Sequence, residues 1–358
     1  MSSTGHDAFR AAVGDAVHAP SIFNTQPWRW HVGPEGLHLT GDATRRLPVV
    51  DPDATLLLLS CGAALHHARV SLAAQGWAVR VDRLPCRERP GADGPYGCED
   101  VLARIVLLGR VQPDPVAIAL RAAIPRRRTD RRPFGDEPVP ASALAALIDA
   151  ARAQVTRVHR VRLDQMPMLA VAVAGAQDSE RADPRYRIEL IQWTNRPEWS
   201  NDGVPPGTAV RRVPRRVPVR DFTPVSAAGR VSNMADEQSL AVAPGGDRGA
   251  AYLILHGPGE RALDWLRAGE ALSSVLLTAA QAGLATAPFT DVLEVDHPRD
   301  LVRGLLPGLS HPYVLVRCGY PGSDQPLPAV PRREVDEVLH EVAAGERPVS
   351  GRIAGRSA

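Results

Sequence analysis

Ala19-Pro20-Ser21-Ile22-Phe23-Asn24-Thr25-Gln26-Pro27-Trp28-Arg29 is the stretch on which the reading of this chain turns. A helical run, Asp7 to His18, precedes it, and an apolar strand start, Trp30-His31-Val32, follows. Two prolines fix φ and remove N–H donors, so the turn between helix and strand is stiff. On a stiff turn, Ser21 and Asn24 present one hydroxyl and one amide at a set geometry. Such a turn suits the edge of a planar, hydrogen-bonding ligand; the plain alternative is a polar helix-to-strand loop.

Working outward, the chain repeats itself once. The helical stretch Gly62 to Trp77 lines up without gaps on Gly269 to Leu284. Gly62, Ala64, Leu65, Ala73 and Gly76 recur as Gly269, Ala271, Leu272, Ala280 and Gly283. Each copy is a long apolar helix stopped by glycine. Downstream, the strand Ile105 to Gly109 matches Leu315 to Gly319, and upstream Ala12 to Ala19 matches Ala146 to Ala153. The repeated stretches, Asp7–Arg110 and Arg126–Pro321, are far too long for solenoid repeats and predict a duplicated α+β unit. Domains are expected over 1–120 and 121–340, with a tail over 341–358.

The second copy opens with Arg126-Arg127-Arg128-Thr129-Asp130-Arg131-Arg132-Pro133-Phe134. Arginines this dense repel one another unless an anion neutralises them, which favours a phosphate site over a solvated basic linker. The 42 basic residues include no lysine, so a phosphate clamp is guanidinium and a Schiff-base lysine is excluded. Where the first copy carries Pro20-Ser21 and Asn24, the second has Gln154-Val155-Thr156-Arg157-Val158.

Pro20, Ser21, Asn24, Gln26 and the following Pro27-Trp28 resemble the PSxxNxQPW signature of the nitroreductase superfamily, where this segment contacts the flavin of FMN. Arg127, Thr129 and Arg131 are similar to the family's RxSxR pattern, which grips the phosphate and ribityl chain. The resemblance implies that Thr290, in Pro288-Phe289-Thr290-Asp291, offers its N–H to flavin N5, with Phe289 packing near the ring or in the core. It also implies that Arg332 or Arg333 returns to the phosphate, in competition with a salt-bridged helix start. Asp183-Pro184-Arg185-Tyr186-Arg187 followed by Asn201-Asp202-Gly203-Val204-Pro205 is similar to the Acg-type branch, in which two fused domains and a lid cover one flavin.

The family's subunits intertwine and share each FMN across their interface. By resemblance the expected fold is therefore α+β, two fused nitroreductase-like units forming an internal pseudo-dimer, with a lid over 183–248. One composite site keeps both motif halves, which implies one FMN per chain. The implied activity is ping-pong hydride transfer from NAD(P)H through flavin N5 to a nitro or quinone-like acceptor. The alternative, also implied by the branch, is a flavin-holding protein with its lid closed. The expected partners are a small-molecule substrate and NAD(P)H, with the chain a monomeric pseudo-dimer or a homodimer. No protein nucleophile or acid is required, because the cofactor carries the chemistry.

Composition narrows the remaining classes. Hydrophobic residues at 44% and charged residues at 23% describe a soluble globular chain. A net charge of +2 gives no reason to expect nucleic-acid binding. No continuous apolar run of about 18 residues is found, so no membrane span is expected, and no signal peptide is legible, so a cytoplasmic location follows. Cys61, Cys86, Cys98 and Cys318 form no CxxC pair and no zinc-like spacing, and no metal is expected. His66 and His67 read as packing on opposite sides of a core helix. The run Arg211 to Arg220 reads as a solvated turn or as an attractor for a nucleotide phosphate. The acidic residues show no pairing that suggests acid/base work.

Overall fold

A computed structural model describes residues 3–85, 101–197, 199–208, 210, 215–220, 222 and 246–342. Cys86, Cys98 and Arg211 to Pro214 lie outside these residues. The first part of the chain forms α1 (Ser3–Ala16), β1 (Trp28–Gly33), β2 (Gly36–Gly41), α2 (Thr55–Ala74), β3 (Trp77–Arg83), β4 (Val101–Arg110) and α3 (Pro115–Ala123). Next come α4 (Ala141–Arg152), β5 (Arg157–Arg160), α5 (Met166–Ala182), α6 (Pro184–Thr194), β6 (Ala251–Gly257) and α7 (Ala262–Gln281). The last described elements are β7 (Ala285–Phe289), α8 (Asp291–Glu294), α9 (Asp296–Arg303), β8 (His311–Gly319), α10 (Val335–Val338) and β9 (Leu339–Glu341).

The repeat read in the sequence is kept in the topology. One sheet orders its strands β3-β4-β2-β1-β9 and the other β5-β6-β8-β7. Apart from β9, the two orders are the same when β1 to β4 are matched with β5 to β8. All three strand pairs in each set are antiparallel. A helix precedes each set, and a 20-residue helix joins its second and third strands.

By contacts the chain forms two compact units that cut across the repeat. The first comprises Met1–Arg126, Glu260–Leu277 and Arg332–Ala358; the second comprises Arg127–Gly259 and Thr278–Pro331. Most of α7 thus packs in the first unit, and β9 adds there as a parallel edge strand on β1.

In the first unit, α2 and α7 cross at matching glycines. A Cβ placed on Gly62 would lie 2.0 Å from the Leu266 carbonyl oxygen, and one on Gly269 would lie 2.0 Å from that of Leu59. Leu59 and Leu266 are themselves equivalent in the repeat, so the contact is isologous, each helix offering the other the same patch. His66 and Ser273, another equivalent pair, meet at 2.8 Å beside this crossing. His67 reaches the same Ser273 hydroxyl, so the two histidines do not face opposite sides; both rings turn toward α7. Burial holds His66 down to about 3, followed by the charge of Arg69, which keeps it neutral. Glu270, buried one residue past the glycine, receives Arg83 at 2.7 and 2.9 Å and pairs with Arg69.

The start of α2 is fixed by Asp51, whose carboxylate accepts the Leu56 and Leu57 N–H groups at 3.1 and 2.8 Å. Its end is fixed by Gly76, at φ +77. Although no unbroken apolar run marks it in the sequence, α2 is long and apolar enough to cross a membrane. Its apolar window is 89% buried within the protein, as expected of a core helix. In the second unit the core gathers Leu169 and Val173 of α5, Ile254 of β6, Val302 of α9 and Leu315 of β8.

Candidate functional site

The Pro20 to Trp28 turn of the first unit is locked from within. Phe23, Asn24 and Gln26 all adopt φ between 49° and 55°, the left-handed region that costs a side-chain-bearing residue energy. What over-determines these angles is a set of hydrogen bonds. Ser21 Oγ accepts the Gln26 N–H at 2.9 Å, and the Arg45 guanidinium donates to the Thr25 carbonyl at 2.8 Å. Gln26 is fully buried, and its Oε1 accepts the Arg333 N–H at 2.9 Å. Arg332 donates to the Ala19 carbonyl at 2.8 Å and to Asn24 Oδ1 at 2.9 Å. Pro20 is buried beside them.

Arg332 and Arg333 therefore both close on this turn. The Arg333 guanidinium donates to the Gln26 and Trp28 carbonyls at 3.3 Å and to that of Glu337 at 3.0 Å. Asp42, nearly inaccessible, sits among Arg29 at 3.0 Å, Arg333 at 3.7 Å and Arg45 at 3.9 Å. Burial pushes the Asp42 carboxyl upward, but its bonds to Arg29 and Thr44 outweigh that and hold it below the usual range.

In the second unit, the arginines of the Arg126 to Phe134 segment fall into two kinds, one paired with a carboxylate and one held down by burial. Arg132 pairs with Asp130 at 2.8 Å, so part of the charge density is neutralised by an aspartate inside the run itself. Arg317 of β8 holds Asp247 through two contacts of 2.7 Å and donates to the Asp130 and Arg132 carbonyls at 3.0 and 2.8 Å. Asp247 also accepts the Phe134 N–H at 2.7 Å. Thr129 bridges to Thr286 on the outer edge of β7, fixed by an Asp130 N–H bond of 2.9 Å to the Thr286 carbonyl.

Arg127 and Arg131 behave differently from Arg132. Burial, then the charge of Arg128, pushes the Arg127 guanidinium down to about 10. Burial, then the charge of Arg220, does the same to Arg131. Both are cations held where positive charge is disfavoured, the condition that a bound anion reverses. Arg131 donates to Thr208 Oγ1 at 3.3 Å and lies 4.4 Å over the Phe222 ring.

Thr290 follows β7 in the same unit. The Thr286 carbonyl faces away from β8, and Pro288, with no N–H to give, occupies the next place in that row. Thr290 continues the row. It is buried, and among the described residues its N–H forms no hydrogen bond. A buried backbone donor without a partner is rare enough to mark a place built for an acceptor from elsewhere. Phe289, half-buried, packs against the second unit's core, edge-on to Tyr252 at 6.5 Å.

Beside Thr290 stands a group that the sequence did not disclose. Glu180 of α5 and Glu294 of α8 contact one guanidinium nitrogen of Arg220 at 2.7 and 2.6 Å, with Asp291 close by. Thr290 Oγ donates to Glu294 at 2.7 Å. Burial pushes Glu180 from 4.5 up to about 7, against the pull of Arg220. Because that folded-state value is raised, the stability linked to the Glu180 proton is full below about pH 4.5 and is lost as pH rises through about 7. Glu180→Gln, neutral throughout, is expected to gain on the wild type in urea midpoint between pH 5 and pH 8. An unchanged difference between those pH values would show that Glu180 titrates normally.

Described residues of the insertion reach this site. In α6 the buried face is Tyr186, Glu189 and Trp193, whereas Ile188 is exposed. Trp193 stacks with Arg196 at 4.3 Å, and Trp199 is 83% exposed. Arg215 and Arg220 are not the solvated turn residues expected. Arg215 donates to the Arg131 carbonyl at 2.8 Å, and the Arg220 side chain is buried between Glu180 and Glu294. No grouping of histidine, cysteine and carboxylates suited to a metal occurs among the described residues, and Cys61 and Cys318 are free and buried.

Comparison with known proteins fits these observations. The Nitroreductase family matches residues 124–320, which include Arg127, Thr129, Arg131 and Thr290. "Putative NAD(P)H nitroreductase Rv3131" of Mycobacterium tuberculosis is 39% identical over 93% of this chain and 91% of its own length. "Putative NAD(P)H nitroreductase acg" of the same organism is 35% identical over 95% and 98%. Among solved structures, the chain is similar to a nitroreductase with bound FMN from Bacteroides fragilis, at 13% identity and TM-score 0.36, covering 65% of this chain and 98% of that one. The chain belongs to the nitroreductase family.

Proposed function

We propose that the chain is an FMN-dependent oxidoreductase that takes hydride from NAD(P)H and passes it to a small nitro or quinone-like acceptor. The observation that carries this is the buried Thr290 N–H with no partner among the described residues, at the place where the family's N5 donor is expected. Bound FMN supplies the hydride chemistry, accepting and releasing two electrons. A fixed N–H at Thr290 stabilises charge where it develops, without reorganising as the reaction proceeds.

The other roles follow from residue chemistry. Arg127 and Arg131 take the phosphate, their lowered basicity restored by its charge, and the Thr129 hydroxyl serves the ribityl chain. Ser21 and Asn24, with Pro20 and Gln26 holding the turn rigid, serve the ring edge. Arg332 and Arg333 act by fixing that turn; their contacts to Asn24 and Gln26 support this part. One flavin per chain is supported by the single set of motif residues, with Pro20, Ser21 and Asn24 in one copy and Arg127, Thr129 and Arg131 opening the other.

Purified protein is expected to be yellow, and its flavin absorbance should bleach promptly on anaerobic addition of NADPH or NADH. A protein that stays yellow would instead be a flavin holder, and a colourless one that FMN cannot reconstitute would overturn the assignment. Arg127→Ala should weaken FMN binding by about 10- to 100-fold, the loss of one charge-assisted contact worth about 1.5–3 kcal/mol. Fluorescence titration of the apoprotein with FMN checks this.

A further inference from the structure

Three carboxyl groups and one phenol crowd around a single guanidinium in the second unit. Glu180 comes from α5, Tyr186 from α6, Asp291 and Glu294 from α8, and Arg220 from the segment 215–220. Among the described residues, Arg131 also faces the cluster, through the charge of Arg220. Arg220 contacts Glu180 and Glu294 at 2.7 and 2.6 Å, and its guanidinium lies 5.8 Å from the Tyr186 ring. The Tyr186 hydroxyl is buried, with no hydrogen-bond partner among the described residues. An orphan hydroxyl among the described residues calls for a polar partner from elsewhere.

We propose that this cluster is a proton store for the acceptor half of the reaction, and that the Thr290 hydroxyl is its outlet. The geometry supplies both parts. Thr290 Oγ is 2.7 Å from Glu294, on the same residue whose N–H is assigned to the cofactor, so the proposal rests on the function proposed above. Three buried carboxylates against one arginine leave an excess of negative charge that a low-dielectric interior does not tolerate. At least one proton is therefore retained near neutrality. Burial raises Glu180 to about 7 and raises Glu294 and Asp291 as well, in agreement with that count.

The step balances simply. An acceptor that has gained a hydride needs one proton. With Glu294 protonated, the 2.7 Å contact runs the other way: the Glu294 O–H donates to Thr290 Oγ, and the Thr290 O–H turns to the acceptor. The Thr290 O–H bond breaks as the acceptor–H bond forms. The Glu294 O–H proton then passes to Thr290 Oγ, leaving a Glu294 carboxylate beside Arg220. Glu180, across the same guanidinium, shares the returning solvent proton. Glu180 and Glu294 act through Thr290 and are positioning residues for the proton.

Infrared titration of the purified holoprotein tests the store directly. A protonated-carboxyl C=O band should persist to neutral pH and fade as pH rises through about 7. Glu180→Gln or Glu294→Gln should remove or displace it. Absence of such a band at pH 7 would overturn the store, and the band remains readable on apoprotein, so failure of the flavin assignment is a separate result.

The outlet is tested with Thr290→Val, which keeps the backbone N–H and removes the hydroxyl. After reduction by NADPH, reoxidation by a benzoquinone should slow by on the order of 10²-fold, the low end for a positioned acid. Its pH profile should also lose the limb near 7. An unchanged rate and profile in Thr290→Val would overturn the outlet.

Discussion

Asp247→Asn is expected to cost about 3–5 kcal/mol of stability, because it leaves a buried guanidinium without its counter-charge. Asp247 is fully inaccessible and takes two contacts of 2.7 Å from Arg317. Arg215 lies 3.9 Å away with its guanidinium already pushed down by burial, so removing the carboxylate strands two cations. Asparagine keeps the shape and tolerates the left-handed backbone at φ 59°, so the loss reads out charge and not strain. The damage should spread to the proposed phosphate site, since Arg317 holds the Asp130 and Arg132 carbonyls that flank Arg131. Urea unfolding measures the first effect and FMN titration the second. A loss below about 1 kcal/mol would mean that this buried pair contributes no more than an exposed one.

Gly269→Ala should be the second costly change. The new Cβ would sit 2.0 Å from a backbone oxygen of α2, so the helices must part, at about 1–3 kcal/mol for overpacking and more if they cannot relax. Gly62→Ala should cost a similar amount, since it meets Leu266 in the same way. Once one methyl has separated the helices, the other finds room. The double variant should therefore cost clearly less than the sum of the singles, the coupling expected of residues in contact. Additive losses in thermal or urea unfolding would mean that the two glycines act separately.

Local signals carried most of what could be read ahead of the structure. Gly76 and Gly283 end their helices because a left-handed terminus needs no side chain, and spacing alone reveals the repeat. Pro20 and Pro27 announce a stiff turn, but not its strain at Phe23, Asn24 and Gln26, nor that Arg332 and Arg333 close it. That closure joins distant parts of the chain, and no local pattern records it. Asp130 was visible in the arginine run, yet its pairing with Arg132 depends on the fold around Arg317.

The acidic cluster was illegible for the same reason. Glu180 looks like an ordinary surface acid, as do Asp291 and Glu294 on a segment far from it in the chain. Arg220 stands in a basic run whose composition reads as solvated. Tertiary burial alone turns them into one titrating group.

The crossing of α2 on α7 carries a further consequence for how such a protein changes over time. In a homodimer every substitution appears twice, so neither copy of a shared patch can drift without the other. Here both copies lie in one polypeptide, and the chain linkage holds them at a high effective concentration that dilution does not lower. Matching positions are then free to part ways. One copy retains Pro20, Ser21 and Asn24 while its counterpart reads Gln154 to Val158, and the paired glycines, which still need each other, stay the same.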